Sequence, residues 1–432
     1  FFRKVELARS SQFVHISSAC HTLDDGWNDL MPADAQQEPG SPTEQVEGFK
    51  YLKLLNNVLG KLHDVATERD RAGNRELHFD QNVSLLLLYF FSPTLTSLRA
   101  VQRASELGKI QKISGGKRVS LGSLSEAQSV FDPSLLRNML GDLASQSASL
   151  SDGKEAEALK GLTAVDGSLL PALPRMAWAL WQDDQHRAAK LHLHFDVFQA
   201  IPVEATLTEG NGSERHELLT TLQKGRLYVL DRGYLSYEFF QEIIDADASF
   251  ICRVKEHAAY RVIEQRPISK QAAEAGVIED VIVNKLGSAH HKNPLKQPVR
   301  IVKVQTQDVR KNGEPVVRVL VTNRLDLDAD LVALGYRHRW SVELYFRWFK
   351  CILGCRHLLL TSPDGVAIQV YAALIASLLI RLWIGCKPNK ATYEMLCHYF
   401  SGWATEAELN AYLERQARRL EGQKTGTVKN ES

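Results

Sequence analysis

Five short apolar segments, each closed by turn residues, follow one another between Leu159 and Lys255, and their order strongly restricts the fold. Each segment is uniformly apolar or alternates over a few residues, which predicts a β-strand. Two stretches with helical spacing, GSERHELLTTL and SYEFFQEIIDAD, separate the third strand from the fourth and the fourth from the fifth. The order of three strands, helix, strand, helix and strand predicts an α/β fold in which helices pack on a mixed sheet.

The chain on either side of this segment has a different pattern. Apolar residues have mostly helical spacing before residue 150, strand patterns recur after residue 256, and helical spacing returns at residue 331. These patterns predict five regions. They are a helical N-terminal region at 1–150, a core at 159–255 that resumes at 325–400, a β-rich insertion with its own sheet at 256–324, and a C-terminal helix with a disordered polar tail at 401–432.

Composition restricts the class of protein. A chain that is 44% hydrophobic and 24% charged is typical of a soluble globular protein. The longest apolar run, Val370 to Ile380, is shorter than the roughly 18 residues of a membrane span, so we interpret it as a buried helix. The six cysteines are scattered without a CxxC pair, which argues against a disulfide framework or a zinc site. No signal peptide is recognised, and we expect a cytoplasmic location without a membrane partner.

Cations are concentrated in two stretches, although the net charge of the chain is only +1. Arg99 to Arg118 contains six Lys or Arg, and Lys292 to Arg318 contains seven. Such stretches fit contact with phosphate groups, and two solvated faces are the alternative. The helices predicted around the first stretch suit a DNA-binding module, with an ordinary helical bundle as the alternative.

The stretch YRHRWSVELYFRWFK mixes aromatic residues with charged ones. At about 100° per residue, one narrow stripe of a helix contains Tyr336, Arg339, Glu343, Arg347 and Lys350. The other sides are mostly apolar, which predicts a buried helix on which charges need partners. Two interpretations remain open: Glu343 forms an ion pair with Arg339 or Arg347, or Glu343 binds a metal beside cations that bind phosphate.

Two aspartates directly follow predicted strands. Asp166 closes the first strand in TAVDGS, and Asp231 closes the fourth in LYVLDRGY. Ligand sites in open sheets gather at the carboxyl ends of strands, although an aspartate there is also a common turn residue. Together with Glu343 they would form a set of oxygen ligands for Mg²⁺ or Mn²⁺. Two such ions about 3.5 to 4 Å apart suit attack on a phosphodiester.

The late helical stretch carries a family signature. Tyr336, Arg339, Glu343 and Lys350 match the pattern Y-(2)-R-(3)-E-(6)-K, and the chain resembles DDE transposases of the insertion-sequence-four family. AVDGS, YVLDRGY and LVTNR resemble the surrounding segments of that family, so that the resemblance covers roughly residues 159–360. It implies an RNase H-like core interrupted by the β-rich insertion. It also implies Mg²⁺-dependent hydrolysis at transposon ends, followed by attack of the freed 3′-OH on target DNA.

The resemblance also assigns roles to individual residues. The implied catalytic metal ligands are Asp166, Asp231 and Glu343. The residues implied to contact DNA phosphates are Tyr336, Arg339 and Lys350. The implied partners are two Mg²⁺ or Mn²⁺ ions, double-stranded transposon-end and target DNA, and a second copy of the chain in the DNA complex. A catalytically silent DNA-binding protein derived from a transposase, and an RNase H-like nuclease without strand transfer, are the alternatives.

One feature departs from the family pattern. In its best-known members a Trp of the insertion stacks against a flipped base, whereas all seven Trp of this chain lie outside Glu256 to Asn323. The candidate replacement as a stacking surface is Tyr260. The sequence therefore leaves open whether the chain flips a base and forms a hairpin intermediate.

Overall fold

The computed structural model describes residues 59–63, 75–92, 94–145, 147, 153–183, 185–287, 295–309, 313–355, 357–384 and 387–428. Much of the predicted helical region 1–150, including residues 1–58, lies outside these ranges.

The described N-terminal part is helical. Its α-helices are α1 (Phe79–Phe91), α2 (Leu98–Ala104), α3 (Gly108–Ser114), α4 (Leu121–Val130), α5 (Ser134–Ser145) and α6 (Lys154–Ala158). Helix α1 is apolar on nearly all sides and is almost completely buried. Ser97 and Ser120 cap α2 and α4, because each side-chain oxygen accepts a hydrogen bond from the backbone N–H three residues later.

In the described part of the chain, nine strands form one mixed sheet. They are β1 (Leu162–Ala172), β2 (Arg187–Asp196), β3 (Ile201–Glu209), β4 (Leu227–Leu230), β5 (Ser249–Val254), β6 (Tyr260–Gln265), β7 (Val277–Leu286), β8 (Val299–Val309) and β9 (Pro315–Thr322). Their order across the sheet is β3-β2-β1-β4-β5-β9-β8-β7-β6. The pairs β1–β4 and β4–β5 are parallel, and the other pairs are antiparallel.

The five predicted strands of the core are present, and so are the two helices between them. These helices are α7 (Glu214–Thr220) after β3 and α8 (Tyr237–Asp245) after β4. The predicted α/β fold with a mixed sheet is confirmed. Alternate residues of the central strands face two separate cores: Ala164 and Val229 pack on one side of the sheet, and Val165 and Leu230 on the other, where α7 and α8 lie.

The prediction that residues 256–324 form a sheet of their own is wrong. Their strands β6 to β9 continue the core sheet, because β9 pairs antiparallel with β5 from Val254↔Val319 to Ile251↔Thr322. This arrangement has a physical reason, since β9 satisfies backbone N–H and C=O groups that would otherwise be unpaired along β5. A short helix, α9 (Lys270–Glu274), connects β6 to β7.

A buried ion pair anchors this extension of the sheet. The Arg300 guanidinium on β8 donates from Nε to Asp280 Oδ1 at 2.7 Å and from Nη2 to Asp280 Oδ2 at 2.6 Å. The side chains of Arg300 and Asp280 are only 2% and 3% exposed. Arg300 also donates to the carbonyl oxygen of Leu327, which precedes the next helix. One side chain thus connects two strands of the extension to the chain that returns to the core.

The remaining described elements are helical. They are α10 (Ala329–Arg337), a 3₁₀ turn (His338–Trp340), α11 (Ser341–Arg347), a π turn (Trp348–Ile352), α12 (Pro363–Ile384), α13 (Lys390–Phe400) and α14 (Glu406–Val428). The single regular helix expected from Tyr336 to Lys350 is therefore interrupted twice. The tail predicted to be disordered from Glu421 continues α14 as far as Val428.

Helix α12 contains the long apolar run of the sequence. Among the described residues it is the one helix with the length and composition of a membrane span, and 89% of its apolar window, Pro363–Leu382, is buried within the fold. It packs against α1, α4, α5 and β3. The interpretation as a buried core helix is confirmed.

Candidate active site

Asp166 and Asp231 lie level with each other on neighbouring strands. β1 pairs in parallel with β4, with Ala164 opposite Val229, and each aspartate is two residues beyond this pair. Because side chains alternate across a strand, both aspartates continue the sheet face of Ala164 and Val229. Asp231 directly follows β4, as predicted, but Asp166 does not close its strand, because β1 continues to Ala172 along β2.

Backbone hydrogen bonds orient both carboxylates. Asp231 Oδ1 accepts from the N–H of Arg232 at 2.6 Å and begins a 3₁₀ turn, Arg232–Tyr234. Asp166 Oδ1 accepts from the N–H of Gly167 at 2.8 Å. Each aspartate thus uses one oxygen locally and leaves the other available for a ligand.

Glu343 reaches this end of the sheet from α11, which packs against β1. Its Oε1 accepts a hydrogen bond from Arg339 Nη2 at 2.5 Å, and the two side chains are 32% and 12% exposed. The structure thus contains the ion pair that was one of the two open interpretations, and Arg339 is the partner. Arg347, the other candidate partner, is exposed.

Arg339 interacts with all three carboxylates. Burial tends to lower the pKa of its guanidinium, but the hydrogen bond that it donates to Glu343 and the negative charges of Glu343, Asp231 and Asp166 raise this pKa above its ordinary value. The three predicted acidic residues and the predicted arginine are therefore brought into one electrostatic site.

The pKa of Asp166 is raised to about 7. Burial is the largest cause, and the negative charges of Glu214 and Glu343 act in the same direction. The Arg339 charge and the Gly167 N–H oppose the rise. A carboxyl group with this pKa gains a proton near neutral pH unless a further positive charge lies beside it.

The side chains of Tyr336 and Lys350, which are predicted to contact DNA phosphates, are largely covered by other protein atoms. Tyr336 is 6% exposed, and burial followed by the charge of Asp231 raises its pKa to about 12. Lys350 Nζ donates to the carbonyl oxygen of Leu169 in β1 at 2.5 Å, and burial lowers the Lys350 pKa to about 8. Both side chains border the aspartates, but in this conformation they contact protein atoms.

Sequence reasoning missed Glu214, a fourth carboxylate at the site. It lies in the first turn of α7, and a Cβ atom placed on Gly167 would be only 2.7 Å from Glu214 Oε1. Its Oε1 is 3.1 Å from Lys190 Nζ on β2. The sequence contains only a weak signal for this residue, since an acid in the first turn of a helix is common for electrostatic reasons alone.

The two basic stretches differ in the structure. All six cations of the first are exposed on α2, α3 and the following loop: Arg99, Arg103, Lys109, Lys112, Lys117 and Arg118. We call this set the helical basic patch.

The described cations of the second stretch each form an ion pair with an acidic side chain, and the prediction that this stretch contacts phosphate stays a prediction. The pairs are Lys296–Asp245, Arg300–Asp280, Lys303–Glu279 and Arg318–Asp308. Lys292, Arg310 and Lys311 lie outside the described residues.

Tyr260, the candidate stacking surface for a base, contacts two charged side chains. Lys303 Nζ lies 5.6 Å from the centre of its ring, and its hydroxyl donates to Glu279 Oε1 at 2.6 Å. One face of the ring is therefore already covered by a cation.

A family model described as a transposase DDE domain matches residues 157–379. This chain belongs to the DDE transposase family. The match begins just before β1 and ends within α12, and therefore includes every candidate site residue described above.

Three relatives are named as transposases. One is y4zB of Sinorhizobium fredii, 29% identical over 54% of this chain and 64% of its own length. A second, of insertion sequence element IS5377 in Geobacillus stearothermophilus, is 25% identical over 50% of this chain and 55% of its own length. A third, of element IS4SA in Synechocystis, is 18% identical over 73% of this chain and 84% of its own length. The chain thus spans less than two thirds of the first two relatives.

Two carboxylates of this DDE domain are paired with internal cations. In the described part of the chain, no three His, Cys, Asp or Glu side chains converge closely enough to hold a metal ion. Arg339 forms an ion pair with Glu343, and Lys190 forms one with Glu214. The donor set of carboxylate oxygens nevertheless fits Mg²⁺ or Mn²⁺, and the Arg339 guanidinium already interacts there with three negative charges.

Proposed function

We propose that the protein is an insertion-sequence transposase of the insertion-sequence-four group, with the YREK signature and an RNase H-like core. It cleaves DNA at transposon ends and joins the freed 3′ ends to target DNA, using Mg²⁺ or Mn²⁺. Its metal ligands are Asp166, Asp231 and Glu343, and its phosphate contacts near the transposon end are Tyr336, Arg339 and Lys350.

The observation that carries this proposal is the register of the two central strands. Ala164 opposite Val229 in a parallel pair puts Asp166 and Asp231 level on neighbouring strands. The helix that carries Glu343 packs on β1, and Arg339, the ion-pair partner of Glu343, also interacts electrostatically with both aspartates. Three carboxylates from two strand positions and a helix suit metal-dependent phosphoryl transfer.

The protein's own residues define the electrostatics of the reaction. Two bound divalent cations would activate the attacking oxygen and stabilise the leaving oxygen. Asp166, with a pKa of about 7, loses its proton most readily when positive charge is close. Arg339 exchanges its contact with Glu343 for a DNA phosphate, to which a guanidinium binds in bidentate fashion.

DNA binding extends beyond the catalytic residues. We propose that region 1–150 binds the transposon end and that the helical basic patch supplies phosphate contacts. Because a transposon has two ends, the DNA complex contains a homodimer. The protein acts in the cytoplasm, on the nucleoid.

The proposal is tested by comparing the wild type with Asp231→Asn on a plasmid in which the inverted repeats that flank the gene enclose a marker. The wild type with Mg²⁺ should cleave at the repeats and join the marker to a target plasmid. Asp231→Asn should bind the same repeats in a gel-shift assay but cleave at least about 100-fold more slowly, because it lacks electrostatic stabilisation of the reacting oxygens.

The alternatives give different products. Equal binding by both proteins without cleavage by either would identify a silent DNA-binding protein. Cleavage by the wild type without any joined 3′ end would identify a nuclease without strand transfer. Either result would overturn the transposase proposal.

A further inference from the structure

Glu214 connects the elements that carry both aspartates, although it reaches them from the opposite side of the sheet to Glu343. Its carboxylate lies against β1 at Gly167, the residue after Asp166, where any Cβ would collide with it at 2.7 Å. Burial raises the pKa of the Tyr234 hydroxyl, and the negative charge of Glu214 acts in the same direction. Tyr234 is 2% exposed and ends the 3₁₀ turn that begins at Asp231.

Gly167 leaves room for the Glu214 carboxylate at this point of the strand. A side chain there would displace the Glu214 carboxylate from the backbone beside Asp166. Helix α7 packs against β2, and the cap formed by Ser213 sets the start of the helix. The packing of α7 therefore directs a carboxylate into the end of the sheet where the aspartates lie.

Glu214 also has an internal counter-charge. Lys190 Nζ is 3.1 Å from Glu214 Oε1 and donates to the carbonyl oxygen of Gly212 at 3.1 Å. The Lys190 and Glu214 side chains are 16% and 28% exposed. The arrangement repeats that of Arg339 with Glu343: on each side of the aspartates one carboxylate is held by one cation.

We propose that Glu214 is a fourth carboxylate ligand of the divalent cation, beside Asp166 and Asp231 and across from Glu343. Lys190 neutralises Glu214 until the cation binds, as Arg339 neutralises Glu343. This inference rests on the proposed function, because it assumes that the two aspartates bind the cation. Oxygen ligands from both sides of the sheet would complete more of the coordination that Mg²⁺ and Mn²⁺ require.

Mn²⁺ binding to the full chain tests the inference without DNA or turnover. The electron paramagnetic resonance signal of free Mn²⁺ gives the dissociation constant for the wild type, Glu214→Gln and Asp231→Asn. The matched control is Glu217→Gln, on the same helix but beside Arg137. Glu214→Gln should weaken Mn²⁺ binding about 10-fold or more, whereas Glu217→Gln should bind as the wild type does.

A further variant, Lys190→Met, tests whether Glu214 binds the metal ion or only positions Lys190. If Glu214 is a ligand, removal of the competing ammonium leaves Mn²⁺ binding unchanged or makes it tighter. If Glu214 only positions Lys190, Lys190→Met weakens binding as much as Glu214→Gln does, and the inference is overturned.

Two other outcomes distinguish this inference from the proposed function. Normal Mn²⁺ binding by Glu214→Gln together with weak binding by Asp231→Asn would overturn the role of Glu214 alone. Normal binding by both variants would overturn the proposed metal site itself. Circular dichroism spectra identical to the wild type confirm that each variant is folded.

Discussion

At the level of single residues, the site is a group of acids that internal cations keep nearly neutral. Arg339 interacts with Asp166, Asp231 and Glu343, and Lys190 pairs with Glu214. Positive charge favours the ionised form of such neighbouring carboxylates, because each one raises the free energy of ionising the next. A divalent cation would take over the charge that these side chains supply.

Asp166 gives this balance a measurable pH dependence. Its pKa is about 7 in the folded protein and about 3.9 in an unfolded chain. The folded state therefore binds the proton more tightly, so the contribution of Asp166 to stability is complete below about pH 4 and is lost as the pH rises through about 7. Asp166→Asn should show a smaller fall in melting temperature between pH 5 and pH 8 than the wild type, in thermal unfolding without metal.

Mg²⁺ provides the control for this prediction. A cation beside the ionised carboxylate should raise the melting temperature of the wild type more at pH 8 than at pH 5, and should have less effect on Asp166→Asn. Parallel melting curves for the two proteins across the pH range would contradict the assigned role of Asp166.

At the level of elements, the sequence pattern predicted the core strands and α7 and α8, because hydrophobic periodicity alone specifies them. It did not predict that β9 pairs with β5, since partner choice depends on which strand edge is free after folding. The residues of the candidate site likewise fall into those that the sequence predicts and those that depend on tertiary packing. Asp231 was recognisable at the end of a strand, whereas Glu214 depends on how a helix docks across the sheet. The breaks around Arg339 and Lys350 were also hidden, because the spacing assumed one regular helix.

The ion pair between Arg300 and Asp280 gives a prediction for the extension of the sheet. Arg300→Ala should reduce the free energy of unfolding by about 3 to 5 kcal/mol, because it leaves the Asp280 carboxylate buried without a partner. The measurement is urea unfolding of the full chain, followed by circular dichroism. The double variant Asp280→Leu with Arg300→Met should recover most of this loss, since no charge then remains buried.

An exposed pair serves as the comparison. Lys296 and Asp245 are 2.8 Å apart, but their side chains are 69% and 51% exposed. Lys296→Ala should change the free energy of unfolding by less than about 1 kcal/mol. Equal effects of Lys296→Ala and Arg300→Ala would show that the buried pair does not anchor the extension.

At the level of the whole molecule, the two basic stretches look alike in the sequence. They differ in how many of their cations are paired with protein acids and how many can bind DNA phosphates. Every described cation of the second basic stretch lies beside an acidic side chain, whereas in the exposed helical basic patch it is Arg118 that pairs with an acid, Glu106, at 3.1 Å. A cation already paired with a carboxylate must break that pair to bind DNA, and the net gain is then small. DNA affinity should therefore depend on the helical basic patch and only weakly on the second stretch.

Salt dependence of DNA binding measures this difference. Replacement of Arg99, Arg103 and Lys112 by Gln should reduce the slope of log K against log salt concentration by roughly 0.9 for each DNA phosphate that the variant no longer neutralises. The matched triple replacement of Lys296, Lys303 and Arg318 by Gln should leave the slope close to that of the wild type, because these side chains are paired with protein acids. A larger change in slope from the second set than from the first would mean that DNA binding separates those ion pairs, and that the sheet extension rather than the N-terminal helices binds most of the DNA.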